Sequence, residues 1–428
     1  MNTTEKYKKY VTTSMIDKVQ PVVVERASGA EIQDSGGKTY IDCFSGISVV
    51  NAGHGNPKVI EAAKAQIDKL VHCASYIYYS KPMADLAEKL AAITPGRLQK
   101  TFFGNSGAEA IEGSLRLAKQ FTGKSEFIAL QASFHGRTYA TLSVTGNSGR
   151  KRRSGPYMPG CTFLPAPYCY RCFYELQYPA CRLRCARALE EIIRFNTADH
   201  IAAFLAEPIL GEGGIITPPD DFFLEVEKIL RKHDILFIDD EVQTGFARTG
   251  KMFAIEHYGV EPDIMAVAKA IADGFPLSGF IAREEIADSF RPGDHLTTFG
   301  GNPVSCAAGL ANIEFLEEQN LAAAAADKGN LLKSLLEPLR LRYPLIAEIR
   351  GKGLMLGVEL VRDGQKTPAA QETGQIRDHC CADGVLIGSG GVYGNVLRLQ
   401  PPLVISEGQL RETVSVLDAA FQKLYSGR

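Results

Sequence analysis

From about residue 85 to residue 310, short apolar runs alternate with segments of helical period, and no other feature restricts the fold as strongly. The runs are residues 100–104, 127–131, 201–207, 235–239 and 264–268. Between several of them lie residues 108–120, 187–195 and 222–233, where apolar side chains recur at helix spacing. Strand followed by helix, repeated, predicts an α/β architecture with a mostly parallel sheet covered on both faces. Ligands bind such sheets beyond the C-terminal strand ends. The polar residues that stand out here sit at or just past those ends.

The flanks read differently. Residues 27–42 carry short apolar runs broken by Asp34 and the Gly36-Gly37 pair, which is hairpin chemistry. A glycine-rich turn spans 51–57, and Val59, Ile60, Ala63 and Ile67 predict a helix over 57–70. One long helical stretch is expected over 307–336, then strands at 355–361 and 396–399 and a last helix at 407–425. A chain of 428 residues exceeds one ordinary core. The expected division is a large domain over 57–315 and a smaller α+β domain built from 1–56 and 316–428.

Hydrophobic residues make up 45% and charged residues 22%, with a net charge of -2. That balance suits a soluble enzyme and gives no reason to expect nucleic acid or a membrane as partner. The longest apolar runs are far too short for a bilayer span, and MNTTEKYKKY lacks the apolar core of a secretory signal. Both absences imply a cytosolic protein.

Three elements carry chemistry. Lys269 ends the run Ile264-Met265-Ala266-Val267-Ala268, and burial there would lower its pKa and make the amine nucleophilic. The run 235–239 leads into Asp240-Glu241-Val242-Gln243, where a carboxylate suits a protonated ring nitrogen. Asp239 and Asp240 face opposite ways on a strand, so spacing alone does not choose between them. Third, Gly104-Asn105-Ser106-Gly107-Ala108-Glu109 reads as a strand, a small-residue turn and a helix start, which favours a phosphate; Ser106 is equally suited to a plain N-cap.

On these motifs the sequence resembles the class III (ω-type) pyridoxal-phosphate aminotransferases of fold type I, from residue 27 to residue 402. The resemblance to 4-aminobutyrate aminotransferases is densest over 237–250 and 263–276. It implies pyridoxal 5'-phosphate as cofactor, a large domain with a mixed, mostly parallel sheet, and a homodimer with shared active sites; a tetramer stays open. Lys269 matches the lysine that holds the cofactor as a Schiff base, and Asp240 matches the partner of the pyridine nitrogen. Val242 and Phe134 match the two ring-face positions, and Gln243 the one near the ring hydroxyl. Ser106, Gly107 and Ala108 match the phosphate turn, with His135 and Glu207 beside the cofactor. Thr298 matches a threonine that reaches the phosphate of the neighbouring subunit.

For the substrate, Arg398 resembles the arginine that binds an α-carboxylate, a task its planar fork suits. Glu212 resembles a gate that pairs with this arginine when an amine without an α-carboxylate is bound. Arg137 resembles a second carboxylate binder, although the same local motif occurs in relatives that use pyruvate. Ile47 and Tyr76 are candidate pocket walls. Together these residues imply transfer of an amino group from a 4-aminobutyrate-like ω-amino acid or amine to a keto acid, 2-oxoglutarate, by a ping-pong route. A pyruvate-dependent ω-amine or β-amino acid transaminase, and an amino acid racemase or epimerase using the same lysine, are the alternatives.

Two features stand apart. Cys169, Cys172, Cys181 and Cys185 lie in one Tyr- and Arg-rich insertion. Their spacing suits zinc or an iron–sulfur cluster without matching a common zinc pattern, and reduced thiols or local disulfides with no metal are the preferred reading. The basic stretch 146–155 reads as a solvated surface loop.

Overall fold

The computed structural model describes residues 1–12 and 19–426. Its strands are β1 (Val24–Ser28), β2 (Glu31–Asp34), β3 (Thr39–Cys43), β4 (Leu98–Gly104), β5 (Glu126–Leu130), β6 (Cys161–Leu164), β7 (Ile201–Ala206), β8 (Leu236–Asp240), β9 (Ile264–Val267), β10 (Ser278–Arg283), β11 (Ile346–Lys352), β12 (Met355–Leu360), β13 (Val385–Gly390) and β14 (Val396–Leu399). They form two seven-stranded sheets.

One sheet is ordered β4-β10-β9-β8-β7-β5-β6, and the main hydrophobic core is shared between it and the second sheet. Strands β6, β5, β7, β8 and β9 pair in parallel, while β10 runs antiparallel between β9 and β4. Every residue of β7, β8 and β9 is buried. That is why these strands read as unbroken apolar runs and not as alternating ones: helices cover both faces. The fold class is the expected α/β fold type I arrangement. The antiparallel β10 makes the sheet mixed, as the resemblance implied, but it was not singled out as a strand, because glycine and proline at 274, 276 and 279 break the pattern around it.

The second sheet has the order β1-β2-β3-β13-β14-β12-β11. Its seam is the parallel pair β3–β13, which joins strands from opposite ends of the chain. The expected single helix over 307–336 is instead two, Pro303–Glu318 and Leu321–Arg342. Asn320 adopts a left-handed conformation (φ 48°) between them, which asparagine tolerates and which breaks the helix. No helix among the described residues is long and apolar enough to cross a membrane.

Arg248 fastens the two sheets' surroundings together. Its fully buried guanidinium donates to the Leu354 carbonyl at 3.0 Å, to the Pro401 carbonyl, to Ser45 Oγ at 3.3 Å and to Asn51 Oδ1. Burial pulls its pKa down to about 9. Arg248→Ala would orphan those acceptors and leave a void, so an unfolding free energy lower by about 3 kcal/mol is expected, read from the urea midpoint.

Candidate active site

A cavity of about 430 Å³ opens at the C-terminal ends of β5, β7, β8 and β9. Twelve residues singled out from the sequence line it: Ser106, Gly107, Ala108, Phe134, His135, Arg137, Glu207, Glu212, Asp240, Val242, Gln243 and Lys269.

One wall is the start of the helix Gly107–Thr122. Ser106 is its N-cap, with Oγ accepting from Glu109 N at 3.3 Å, so that hydroxyl carries a capping role. Gly107 is required by close approach: a Cβ there would lie 2.9 Å from Val242 Cγ1. The helix start and its N–H groups therefore face the cavity directly, a positive end suited to an anion.

The floor is the end of β8. Asp240 Oδ2 pairs with His135 Nδ1 at 2.7 Å, and Oδ1 accepts from Val242 N at 3.1 Å. Both side chains of the pair are buried, and His135 Nε2 has no hydrogen-bond partner. Asp239 points to the opposite face, where both its carboxylate oxygens lack partners. Burial, with Glu241 and Asp240 nearby, raises the Asp239 pKa well above its ordinary value. The geometry thus separates the two aspartates that spacing left equivalent.

Lys269 begins the turn after β9 with φ 46°, a left-handed conformation held by buried residues on either side. Desolvation lowers its pKa, opposed by the charges of Asp240 and Glu207. Glu207 is the clamp between loops. It accepts from Phe134 N at 2.9 Å and from Gly211 N at 2.8 Å, and burial raises its pKa to about 7. Gln243 accepts from Gln400 Nε2 at 3.0 Å, and a Cβ at Gly211 would lie 2.2 Å from Gln243 Oε1.

The remaining sequence candidates lie elsewhere. Arg398 is buried just behind the cavity wall, with Nη1 3.4 Å from the Gly211 carbonyl, its plane over Phe44, and Nε without a partner. Ile47 is 41% exposed and Val49 lines the cavity in its place. Tyr76 stacks on Phe102 and donates to or accepts from the Phe103 backbone. Thr298 is exposed on the surface of this one chain. The four clustered cysteines line a small separate cavity of about 20 Å³, and no cysteine is in a disulfide. Among the described residues no group of three or more histidine, cysteine or acidic side chains is arranged to hold a metal ion.

The expectation that 146–155 is merely a solvated loop needs correction. Residues Ser148–Lys151 form a short helical turn capped by Asn147. This turn aims Arg150 inward, where Nε donates to Glu212 Oε1 at 2.7 Å, and Asn147 Nδ2 donates to the same oxygen at 3.1 Å. The abundance of charge in this stretch concealed two site residues.

Over residues 13–421 the chain matches the model of the family described as aminotransferase class-III. It is 42% identical over 398 residues to an acetylornithine aminotransferase of Methanothermobacter thermautotrophicus, covering 93% of each chain. It is 38% identical over 410 residues to a leucine/methionine racemase of Thermococcus litoralis, covering 95% of this chain and 92% of that one. An amine transaminase from an uncultivated Pseudomonas species, solved in a PLP-bound form, superposes with a TM-score of 0.91 at 33% identity, covering 97% of this chain and 98% of that one. With a family match across nearly its whole length and an α/β site of this build, the chain belongs to the class-III aminotransferases.

Proposed function

We propose that the protein is a pyridoxal-phosphate aminotransferase that takes an amino group from a 4-aminobutyrate-like ω-amino acid or amine and gives it to 2-oxoglutarate. The observation that carries this reading is the meeting of a half-buried, pKa-lowered Lys269 with the Asp240–His135 pair and a helix N-terminus around one cavity.

The residues present fit the cofactor. The Gly107 and Ala108 amides suit its phosphate, Asp240 its ring nitrogen, Phe134 and Val242 its two faces, and Gln243 its hydroxyl. When bound, pyridoxal phosphate supplies a carbonyl that condenses with amines and a ring that draws off the electron pair left when a C–H bond breaks. Desolvation lowers the Lys269 pKa, which suits its Nζ to take a proton from the substrate carbon and deliver it at the other end of the C–N linkage. His135 fixes the Asp240 carboxylate, which would stand against the ring nitrogen. Arg398 binds the α-carboxylate and Arg137, at the cavity mouth, the distal one.

The protein acts as a homodimer on this reading. Val71, Leu296 and Phe299 are exposed beside a surface cleft that Val71 and Phe299 line. A second copy would cover this apolar face and bring Thr298 to its partner's phosphate site.

The test is a half-reaction without keto acid, followed by the absorbance of the lysine-bound cofactor. Loss of that band with 4-aminobutyrate or L-glutamate, and recovery with 2-oxoglutarate, is expected. Recovery only with pyruvate would discard the dicarboxylate assignment. Racemisation is a second reading, favoured by the 38% identity to a leucine/methionine racemase. Chiral analysis of a single amino acid incubated alone separates it from transfer.

A further inference from the structure

Arg398 is a buried cation poorly supplied with partners: one long contact to the Gly211 carbonyl, a ring face, and an Nε with none. A charge in that position needs a carboxylate. The carboxylate acting most strongly on it is Glu212, yet the two form no salt bridge. Glu212 is instead held by Arg150 and Asn147 through Oε1. Its other oxygen, Oε2, is buried with no partner. Glu212 therefore stands between two arginines and is bound to the outer one.

We propose that Arg150, with Asn147, is a specificity-determining pair that holds Glu212 off Arg398 and so keeps Arg398 open for substrates bearing an α-carboxylate. The inference rests on the aminotransferase reading and deepens it. With Arg150 in place, keto acids and α-amino acids find a vacant cation, whereas an amine without an α-carboxylate must first draw Glu212 away from Arg150. The chain thus favours the carboxylate half of the cycle over the simple-amine half. Charge alone does not account for the arrangement. Arg150 pairs through Nε, from a capped turn that fixes its direction, while its side chain stays about a third exposed.

The experiment uses the holoenzyme, with glutarate as a carboxylate probe and 1-aminobutane as an amine without one. Arg150→Met keeps the apolar stem and removes the donors. If the freed Glu212 then occupies Arg398 about nine-tenths of the time, glutarate affinity by calorimetry falls about tenfold. In the same variant the half-reaction with 1-aminobutane should quicken, because Glu212 now neutralises the cation that its alkyl chain would otherwise desolvate. A general loss of positive charge would not move the two probes in opposite directions. Arg150→Met combined with Glu212→Gln should return glutarate affinity to the wild-type value, and Arg150→Lys should retain most of it. Unchanged glutarate affinity in Arg150→Met, or a loss that persists in the double variant, overturns the proposal. Failure of the underlying reading has its own signature: purified protein with no cofactor absorbance, whatever glutarate does.

Discussion

Lys269→Ala is expected to reduce steady-state turnover by about 10⁴-fold or more while leaving the protein folded. Among the described residues that line the cavity, Lys269 is the one whose amine can both hold a carbonyl and carry a proton. Alanine supplies neither. Stability should not suffer, since the substitution removes a desolvated amine whose charged form burial already disfavours. The backbone at this position is left-handed for either residue. Turnover is to be measured with the best donor and 2-oxoglutarate, alongside a thermal melt. Near-native turnover would dismiss the role assigned to Lys269, and a collapsed melt would make the rate uninformative about chemistry.

Asp240→Asn tests the opposite end of the ring. An amide is nearly isosteric and its oxygen can still accept from Val242 N, so the turn after β8 should persist. It cannot hold a full positive charge beside it. A loss of about 10²–10³ in kcat is expected, of the size seen when one preorganised electrostatic partner is removed. The donor KM should barely change, because Asp240 touches no part of the substrate on this reading. A KM effect with intact kcat would place Asp240 in substrate binding. His135 gives the rationale for specificity: its Nδ1 lies 2.7 Å from Asp240 Oδ2 and fixes that oxygen in place.

The sheet formed by β4 to β10 was legible because its central strands are buried on both faces, and full burial writes itself as continuous apolar runs ending in Asp240 and Lys269. The cavity wall was legible for a similar reason, since a glycine turn before a helix has few other uses. Four kinds of feature were not. Choosing Asp240 over Asp239 required the resemblance, because two adjacent carboxylates differ only in which face they meet. Arg150 and Asn147 sat in a run of charge whose ordinary meaning is solvation, and only the capped turn at 147–151 redirects it. Ile47, Tyr76 and Thr298 lie outside the cavity of a single chain, as positions would whose role depends on a second copy. The break at Asn320 went unseen because helical period continues on both sides of it.

The seam between β3 and β13 sets an order of assembly. The sheet that carries Lys269 and Asp240 is complete once residue 283 has emerged, and its parallel neighbours are close in sequence. The sheet that carries Arg398 stays open until β13 and β14 arrive, so β1 to β3 must wait, unpaired on one edge, through most of synthesis. Closing contacts so distant along the chain is slow, and an uncovered strand edge invites wrong partners meanwhile. A nascent chain stalled before residue 385 would therefore present a nearly finished reaction chamber that still lacks Arg398, the cation assigned to the α-carboxylate.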